Sequence, residues 1–221
     1  MSSHASEGEP MRFGFLIYPG VEELDLVGPW EMATMWRSYA KGPECLTVSE
    51  TGGAAICAKG LKISADLAFE ACPPLDYLLV PGGFAALEEA RNPRLVGFVA
   101  AQAKTCRHVL SVCTGALILE AAGLLAGRRA TTHWKLLAGL RAKPGVTVVE
   151  DRFVRDGNVW TSAGVSAGID LTLAFIAEEA GAEAASIVQH NAEYFPDGRI
   201  YGTAHQGDAG SAYFRGLGPR A

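Results

Sequence analysis

The residue with the clearest potential for chemistry is a cysteine that follows an apolar run. Residues 109–112 are Val-Leu-Ser-Val, a run typical of a buried strand, and Cys113 comes directly after them. Residues 116–122, Ala-Leu-Ile-Leu-Glu-Ala-Ala, favour a helix. This order is typical of a nucleophile held at a strand-to-helix turn, where the small Gly115 lets the chain bend tightly. The side chain of Cys113 is then left at the mouth of the sheet.

The turn predicts a reactive sulfur on Cys113. The N-terminus of the following helix directs unsatisfied N–H groups and a positive dipole end at the sulfur, which favours thiolate over thiol. We therefore expect Cys113 to be the most acidic thiol of the chain. The alternative is a buried structural cysteine, because free cysteines are among the most buried residues. The local pattern favours the reactive interpretation.

The composition argues against several classes of function. At 221 residues and 49% hydrophobic content, the chain can form a single domain with a large core. A net charge of −5 without a basic run argues against nucleic-acid binding. No apolar stretch approaches the ~20 residues that span a bilayer, and residues 1–10 lack the basic-then-apolar order of a signal peptide. We expect neither a membrane nor a nucleic-acid partner.

Cysteine and histidine spacing indicates no metal site. The five cysteines are an odd number without a Cys-x-x-Cys pair, so neither a disulfide framework nor a zinc site is predicted. The histidines are equally scattered. A reduced, cytoplasmic setting fits this cysteine usage best.

Strand-like and helix-like segments alternate along the chain. Strands are predicted at residues 12–18, 46–49, 77–80, 108–112 and 146–150, and helices at 24–39, 93–105, 134–140, 167–180 and 183–193. Hairpins are predicted around Lys59-Gly60 and Asp156-Gly157. The alternation predicts an α/β fold with a mostly parallel central sheet flanked by helices. We expect one domain over residues 11–205, between flexible tails at 1–10 and 206–221.

Such a sheet carries its site outside the carboxyl ends of the strands. This location brings three turns together: the loop after the first strand, the Pro81-Gly82-Gly83 turn, and Cys113.

Six short motifs carry a resemblance to a known family. They occur in order at residues 24–29 (Leu-Asp-Leu-Val-Gly-Pro), 72–76 (Cys-Pro-Pro-Leu-Asp), 81–83 (Pro-Gly-Gly), 111–115 (Ser-Val-Cys-Thr-Gly), 130–134 (Ala-Thr-Thr-His-Trp) and 167–170 (Ala-Gly-Ile-Asp). Over roughly residues 11–200 the chain resembles the ThiJ/PfpI superfamily, a flavodoxin-like sandwich related to class I glutamine amidotransferases. Within it, the motifs are most similar to the isonitrile hydratase (isocyanide hydratase) group.

The resemblance implies that Asp25 is the acidic partner beside Cys113, where many superfamily members carry Glu. An acid held close to the sulfur can exchange protons with it if burial raises the pKa of the carboxyl group. The alternative is a helix N-cap, since Asp before a helical run is a common cap. The flanking motif favours the catalytic role.

Thr114, Gly82, Gly83 and His133 complete the candidate site. The backbone N–H groups of Thr114 and Gly83 are expected to face charge that develops on a substrate at Cys113. Thr114 is also a candidate helix cap, and the two glycines can simply form a tight turn. The resemblance places His133 near the cysteine, whereas Thr132 is equally credible as the N-cap of a helix that begins at His133.

The residue after the cysteine argues against two activities. Protease-type members of the superfamily carry His there, and amidotransferases need a Cys-His-Glu triad, but this chain has Thr114. Peptidase and glutaminase activities are therefore disfavoured. Glyoxalase-type and deglycase-type activities, which typically use a Glu partner, are disfavoured less strongly.

The resemblance implies a cofactor-free hydratase that acts on a small molecule and forms a homodimer. A thiolate at Cys113 would attack the terminal carbon of R–N≡C, and Asp25 would deliver a proton, leaving a covalent thioimidate. Asp25 would then activate water to release an N-substituted formamide. The alternative is a ligand- or thiol-sensing protein, because the same motifs occur in the sensor domains of AraC-type regulators. Because this sequence stops soon after residue 205, we expect it to lack their DNA-binding module.

Overall fold

A computed structural model of the chain describes residues 10–201 and 210–215. Its strands are β1 (Arg12–Ile17), β2 (Glu44–Ser49), β3 (Ala54–Ile56), β4 (Lys62–Ser64), β5 (Leu67–Ala68), β6 (Tyr77–Val80), β7 (His108–Val112), β8 (Arg129–Ala130), β9 (Thr147–Val148), β10 (Phe153–Asp156) and β11 (Val159–Ser162). Its helices are α1 (Glu23–Ala40), α2 (Ala86–Glu89), α3 (Pro93–Gln102), α4 (Gly115–Ala121), α5 (Leu137–Arg141), α6 (Ala167–Ala180), α7 (Ala182–Asn191) and α8 (Ala212–Arg215).

The central sheet has the strand order β10-β11-β7-β6-β1-β2-β5. Every neighbouring pair is parallel except the β10–β11 hairpin, which turns at Asp156-Gly157 as predicted. The predicted hairpin around Lys59-Gly60 is the antiparallel β3–β4 pair, outside this sheet. The expected α/β fold with a mostly parallel sheet is confirmed.

Helices cover both faces of the sheet because its strands are apolar on both sides. Phe13 and Phe15 of β1 point into one core with residues of α1, α6 and α7, while Leu16 points into the other core with residues of α3 and α4. Successive side chains of a strand face opposite sides, so a strand buried on both faces is a continuous apolar run. The carboxyl ends of β1, β6 and β7 therefore lie side by side between the two helical layers.

Two predicted elements differ in the structure. The helix predicted at residues 134–140 begins as a 3-10 turn, Trp134–Leu136, before α5. The strand predicted at residues 146–150 is reduced to the two residues of β9, which pairs with β8 outside the central sheet.

Pro29 lies inside α1, although its ring removes the N–H that would bond the carbonyl of Asp25. Gly168 of α6 makes room for that ring, since a Cβ there would lie 3.0 Å from Pro29 Cγ.

The predicted flexible tails, residues 1–10 and 206–221, fall largely outside the described residues. The described part of the second tail includes α8, where the Ala212 N–H donates to Glu150 Oε2 at 2.7 Å. Within residues 10–201 and 210–215, no helix is both long and apolar enough to cross a membrane.

Candidate active site

Cys113 lies at the turn between β7 and α4, as predicted. Its backbone has φ +57, in the left-handed region that non-glycine residues rarely adopt, at a cost of ~1–3 kcal/mol. Its N–H donates to the carbonyls of Ser162 and Ala163, both at 3.1 Å. The hydroxyl of Thr132 donates to its carbonyl at 2.8 Å. These bonds hold Cys113 in a strained conformation, a feature that recurs at functional sites.

Gly115 is required by a close approach of two backbones. A Cβ at this position would lie 2.2 Å from the carbonyl oxygen of Val80 and 2.9 Å from that of Pro81. The positive φ of the turn falls on Cys113 instead. Gly115 thus lets the start of α4 pack against the end of β6.

Asp25 is fully buried in the first turn of α1, close to the sulfur. The N-cap of α1 is Glu22, so the alternative role of Asp25 as the cap does not match the structure. Its Oδ2 accepts the Gly82 N–H at 3.0 Å. Its Oδ1 is buried and accepts no hydrogen bond of regular geometry within the described residues. The Cys113 thiol lies within hydrogen-bonding reach of this carboxyl group.

Burial shifts both members of this pair toward their neutral forms. Desolvation raises the pKa of Asp25 to about 7, although the Gly82 N–H and the thiol oppose the rise. Burial and then the charge of Asp25 raise the pKa of Cys113 to about 12, against the N–H groups of Thr114 and Val165. The expected acidic thiol is therefore not observed, because burial and a neighbouring carboxylate outweigh the helix N-terminus. The resting pair is a thiol beside a carboxyl group that titrates near neutrality.

This electrostatic arrangement predicts opposite effects of Asp25→Asn on alkylation and on turnover. Without the carboxylate, the pKa of Cys113 falls, so its alkylation by iodoacetamide at pH 8 should be about threefold faster or more. Mass spectrometry of the labelled peptides measures the rate, and Cys45 and Cys72 provide unaffected controls. Unchanged or slower labelling of Cys113 would show that the Asp25 carboxylate does not suppress ionisation of the thiol.

Thr114 and Gly83 bond each other. The Gly83 N–H donates to the Thr114 hydroxyl, which donates in turn to the Gly83 carbonyl, both at 2.8 Å. The Gly83 N–H is therefore engaged within the protein, in contrast to its expected role toward substrate. The Gly82 N–H is likewise engaged, by Asp25. The backbone N–H of Thr114 bonds the sulfur of Cys113, and its expected role toward substrate charge stays a prediction.

Val165 is a site residue that the sequence analysis missed. Its backbone N–H is the second donor at the sulfur of Cys113. Its φ of +47 is an outlier for a β-branched residue. The order of elements could have indicated this role. Val165 follows β11, in the loop that leads into α6, and so lies at the same edge of the sheet as Cys113. Two backbone N–H groups, each from a loop that precedes a helix, thus bond the sulfur.

His133 lines the same cavity as Cys113. It is the N-cap of the 3-10 turn, because its Nδ1 accepts the Lys135 N–H at 3.3 Å. Its ring packs on Gly164, where a Cβ would lie 2.4 Å from His133 Cδ2. Burial and then Lys135 lower the pKa of His133, which favours a neutral ring. Thr132, the candidate cap in the alternative interpretation, instead donates its hydroxyl to the Cys113 carbonyl.

Tyr18 is a second residue that the sequence analysis missed. Its hydroxyl donates to the carbonyl of Pro81 at 2.8 Å, beneath the Pro81-Gly82-Gly83 turn. Burial and the charges of Asp25 and Cys113 raise the pKa of Tyr18, which keeps it neutral. Tyr18 therefore fixes the turn that holds the Asp25 carboxyl group.

A cavity of about 390 Å³ opens onto the sulfur. This volume is within the ~300–1,000 Å³ typical of small-molecule sites. Its lining combines apolar side chains with a few charged ones. The lining residues are Glu22, Lys59, Gly83, Phe84, Leu87, Cys113, Thr114, His133, Lys135, Leu136 and Val165. In the described part of the chain, no three His, Cys, Asp or Glu side chains are grouped so that they could hold a metal ion.

The sequence of the chain is similar to those of known proteins. The model of the DJ-1/PfpI family matches residues 11–178. A protein of Pseudomonas putida named isonitrile hydratase is 40% identical over 198 residues, which cover 84% of this chain and 79% of that protein. The HTH-type transcriptional regulator CdhR of Pseudomonas aeruginosa is 34% identical over 85% of this chain, and the match spans 55% of the regulator.

A solved structure gives the same result for the fold. The crystal structure of a ThiJ/PfpI family protein from Pseudomonas syringae superposes with a TM-score of 0.81 at 32% identity. The match covers 92% of this chain and 85% of that one. On its fold, its cysteine turn and these similarities, the chain belongs to the DJ-1/PfpI family.

Proposed function

We propose that this protein is an isonitrile hydratase-like enzyme that adds water to R–N≡C and releases an N-substituted formamide. The observation that carries the proposal is the buried Asp25 carboxyl group, with a pKa of about 7, beside the thiol of Cys113. The 40% identity to the Pseudomonas putida isonitrile hydratase supports the choice of substrate.

The first half of the reaction moves one proton from sulfur to carbon. Sγ of Cys113 attacks the terminal carbon of the isonitrile while the S–H proton passes to the Asp25 carboxylate. Asp25 then gives that proton to the same carbon. The product is a thioimidate, R–N=CH–S, in which one C–S and one C–H bond have formed and the S–H bond has broken. The N–H groups of Thr114 and Val165 stabilise negative charge on the sulfur as its proton leaves.

The second half returns the thiol. The Asp25 carboxylate takes a proton from water as the oxygen adds to the thioimidate carbon, and this proton is passed on to the nitrogen. The C–S bond then breaks, the hydroxyl proton leaves to restore the thiol, and R–NH–CHO is released. Overall, one isonitrile and one water give one formamide.

Incubation with phenyl isonitrile tests this function directly. Wild-type protein is expected to form N-phenylformamide continuously, far above the rate in buffer, and chromatography of the product measures it. Absence of formamide with phenyl, cyclohexyl and benzyl isonitriles would overturn the proposal.

Sensing is a second candidate function, because the chain is also 34% identical to the regulator CdhR. It spans about half the length of the regulators it matches. A sensor would bind a small molecule in the cavity without converting it. Saturable binding of an isonitrile without formamide formation would favour this function over the hydratase.

We further propose that the protein forms a homodimer with its contact near the cavity. Two exposed apolar side chains, Phe84 and Leu87, line the cavity. Four more are exposed within five residues of the lining residues Glu22 and Lys59 along the chain: Leu24, Val27, Ile56 and Leu61. An isologous dimer is the commonest way to cover such a patch. Light scattering is expected to give twice the chain mass of 23.3 kDa.

A pair of variants locates the contact. Ile56→Glu is expected to shift the protein toward the monomer, whereas Tyr39→Glu, at another exposed apolar position, is not. A wild-type mass of 23.3 kDa across a wide concentration range would contradict the dimer. A cytoplasmic location, indicated by the free cysteines, stays a prediction.

A further inference from the structure

We propose that the preferred isonitriles carry a carboxylate on a ring-sized apolar body, and that Lys135 binds this carboxylate at the cavity wall. The inference rests on the proposed function and names the substrate class that the same cavity selects.

The apolar lining and the volume of the cavity indicate that the substrate carries an apolar body. Phe84, Leu87, Leu136 and Val165 line it, and its volume is about 390 Å³. Apolar surface binds best where it displaces water from apolar walls. A substituent of the size of a benzene ring gains more from these walls than a methyl group, so ring-bearing isonitriles are expected to bind better than small linear ones.

The charges on the cavity lining indicate that the substrate carries a carboxylate. Glu22 and Lys59 form an ion pair with each other, so their charges are mutually compensated. The ammonium group of Lys135 lies over the ring of Trp134, 5.2 Å from its centroid. No carboxylate of residues 10–201 or 210–215 forms an ion pair with it. Lys135 lines both this cavity and a neighbouring one that includes Trp134. Among the charged lining residues it is the cation that no carboxylate of the described residues compensates, in a chain whose net charge is −5.

His133 adds a second donor on the same wall. Its Nδ1 accepts the Lys135 N–H, so a neutral ring carries its proton on Nε2. An ammonium and an imidazole N–H together suit an anionic oxygen acceptor. A cationic isonitrile would meet like charge here, and its binding would be disfavoured.

The test compares two substrates of equal shape and different charge. Wild-type protein is expected to turn over 4-isocyanobenzoate with a kcat/KM about fivefold above that of neutral 4-isocyanobenzamide, the upper range for an exposed ion pair. Raising the ionic strength should reduce this preference. Lys135→Met keeps the apolar stem and should reduce the ratio to about 1, and Glu22→Gln, which releases Lys59, should raise it.

The matched control is Lys104→Met, which makes the same change of net charge at an exposed position away from the cavity lining. It should retain the wild-type ratio. Equal turnover of the two substrates by wild type, or a preference that survives Lys135→Met, would overturn the inference and leave the hydratase intact. If neither substrate nor phenyl isonitrile is converted, the proposed function fails, and the inference fails with it.

Discussion

Cys113→Ala is expected to abolish turnover of isonitriles. The variant removes the sulfur atom that lines the cavity and forms the C–S bond in the proposed mechanism, so formamide should appear no faster than in buffer. Alanine is smaller than cysteine, and the strained backbone of residue 113 is held by its own N–H and C=O bonds, which alanine retains. The fold should therefore persist, as circular dichroism can verify. Product chromatography measures the turnover.

Cys106→Ala is the matched control for this variant. Cys106 is also buried, but it lies in the core under α3 and α4 and does not line the cavity. Its replacement should leave most of the turnover. Substantial formamide production by Cys113→Ala would rule out nucleophilic catalysis by this residue.

Asp25→Asn is expected to lower kcat/KM by ~10²-fold or more, the usual contribution of a positioned acid or base. Asparagine preserves the shape of the side chain and can still accept the Gly82 N–H, but it cannot take the thiol proton. Glu23→Gln, in the same turn of α1, is the control. Its oxygen accepts the N–H groups of Lys59 and Leu61, and glutamine can retain both bonds.

The pH dependence of the wild-type enzyme follows from the same proton transfer. Asp25 must be ionised to accept the proton of the thiol, and its pKa is about 7. We therefore expect kcat/KM to rise about tenfold per pH unit below 7 and to level off above it. Ionisation of the thiol, whose pKa is about 12, does not change kcat/KM within the accessible pH range. A rate that falls above pH 7, or a fully active Asp25→Asn, would contradict the role of Asp25 as the base.

Much of the fold could be predicted because local pattern and tertiary environment agree. The apolar run before Cys113 is buried on both sides of the sheet, and α6 runs from Ala167 to Ala180 as its composition indicates. The helix predicted from Trp134 instead starts as a 3-10 turn, whose N-cap is the His133 side chain. That contact depends on where the ring of His133 packs, which periodicity does not report.

The sequence predicted which residues meet at the site, but it predicted the electrostatics of the site only in part. The turn at Cys113 and its partner Asp25 could be read from motifs. The acidity of the thiol could not, because it depends on burial and on the distance to a carboxyl group from another element. Val165 was missed for a related reason. It contributes a backbone N–H, so its side chain type gives no indication of its role.

The most direct test of the account is a single-turnover experiment that follows Cys113 itself. Excess enzyme is mixed with phenyl isonitrile, quenched at successive times, and analysed by intact-protein and peptide mass spectrometry. The account predicts an adduct with the full mass of the isonitrile on the peptide that contains Cys113, which forms before the formamide and decays as the formamide appears. It also predicts that this adduct forms more slowly in Asp25→Asn. Formamide that appears while Cys113 stays unmodified at every time point, in both proteins, would contradict the covalent mechanism.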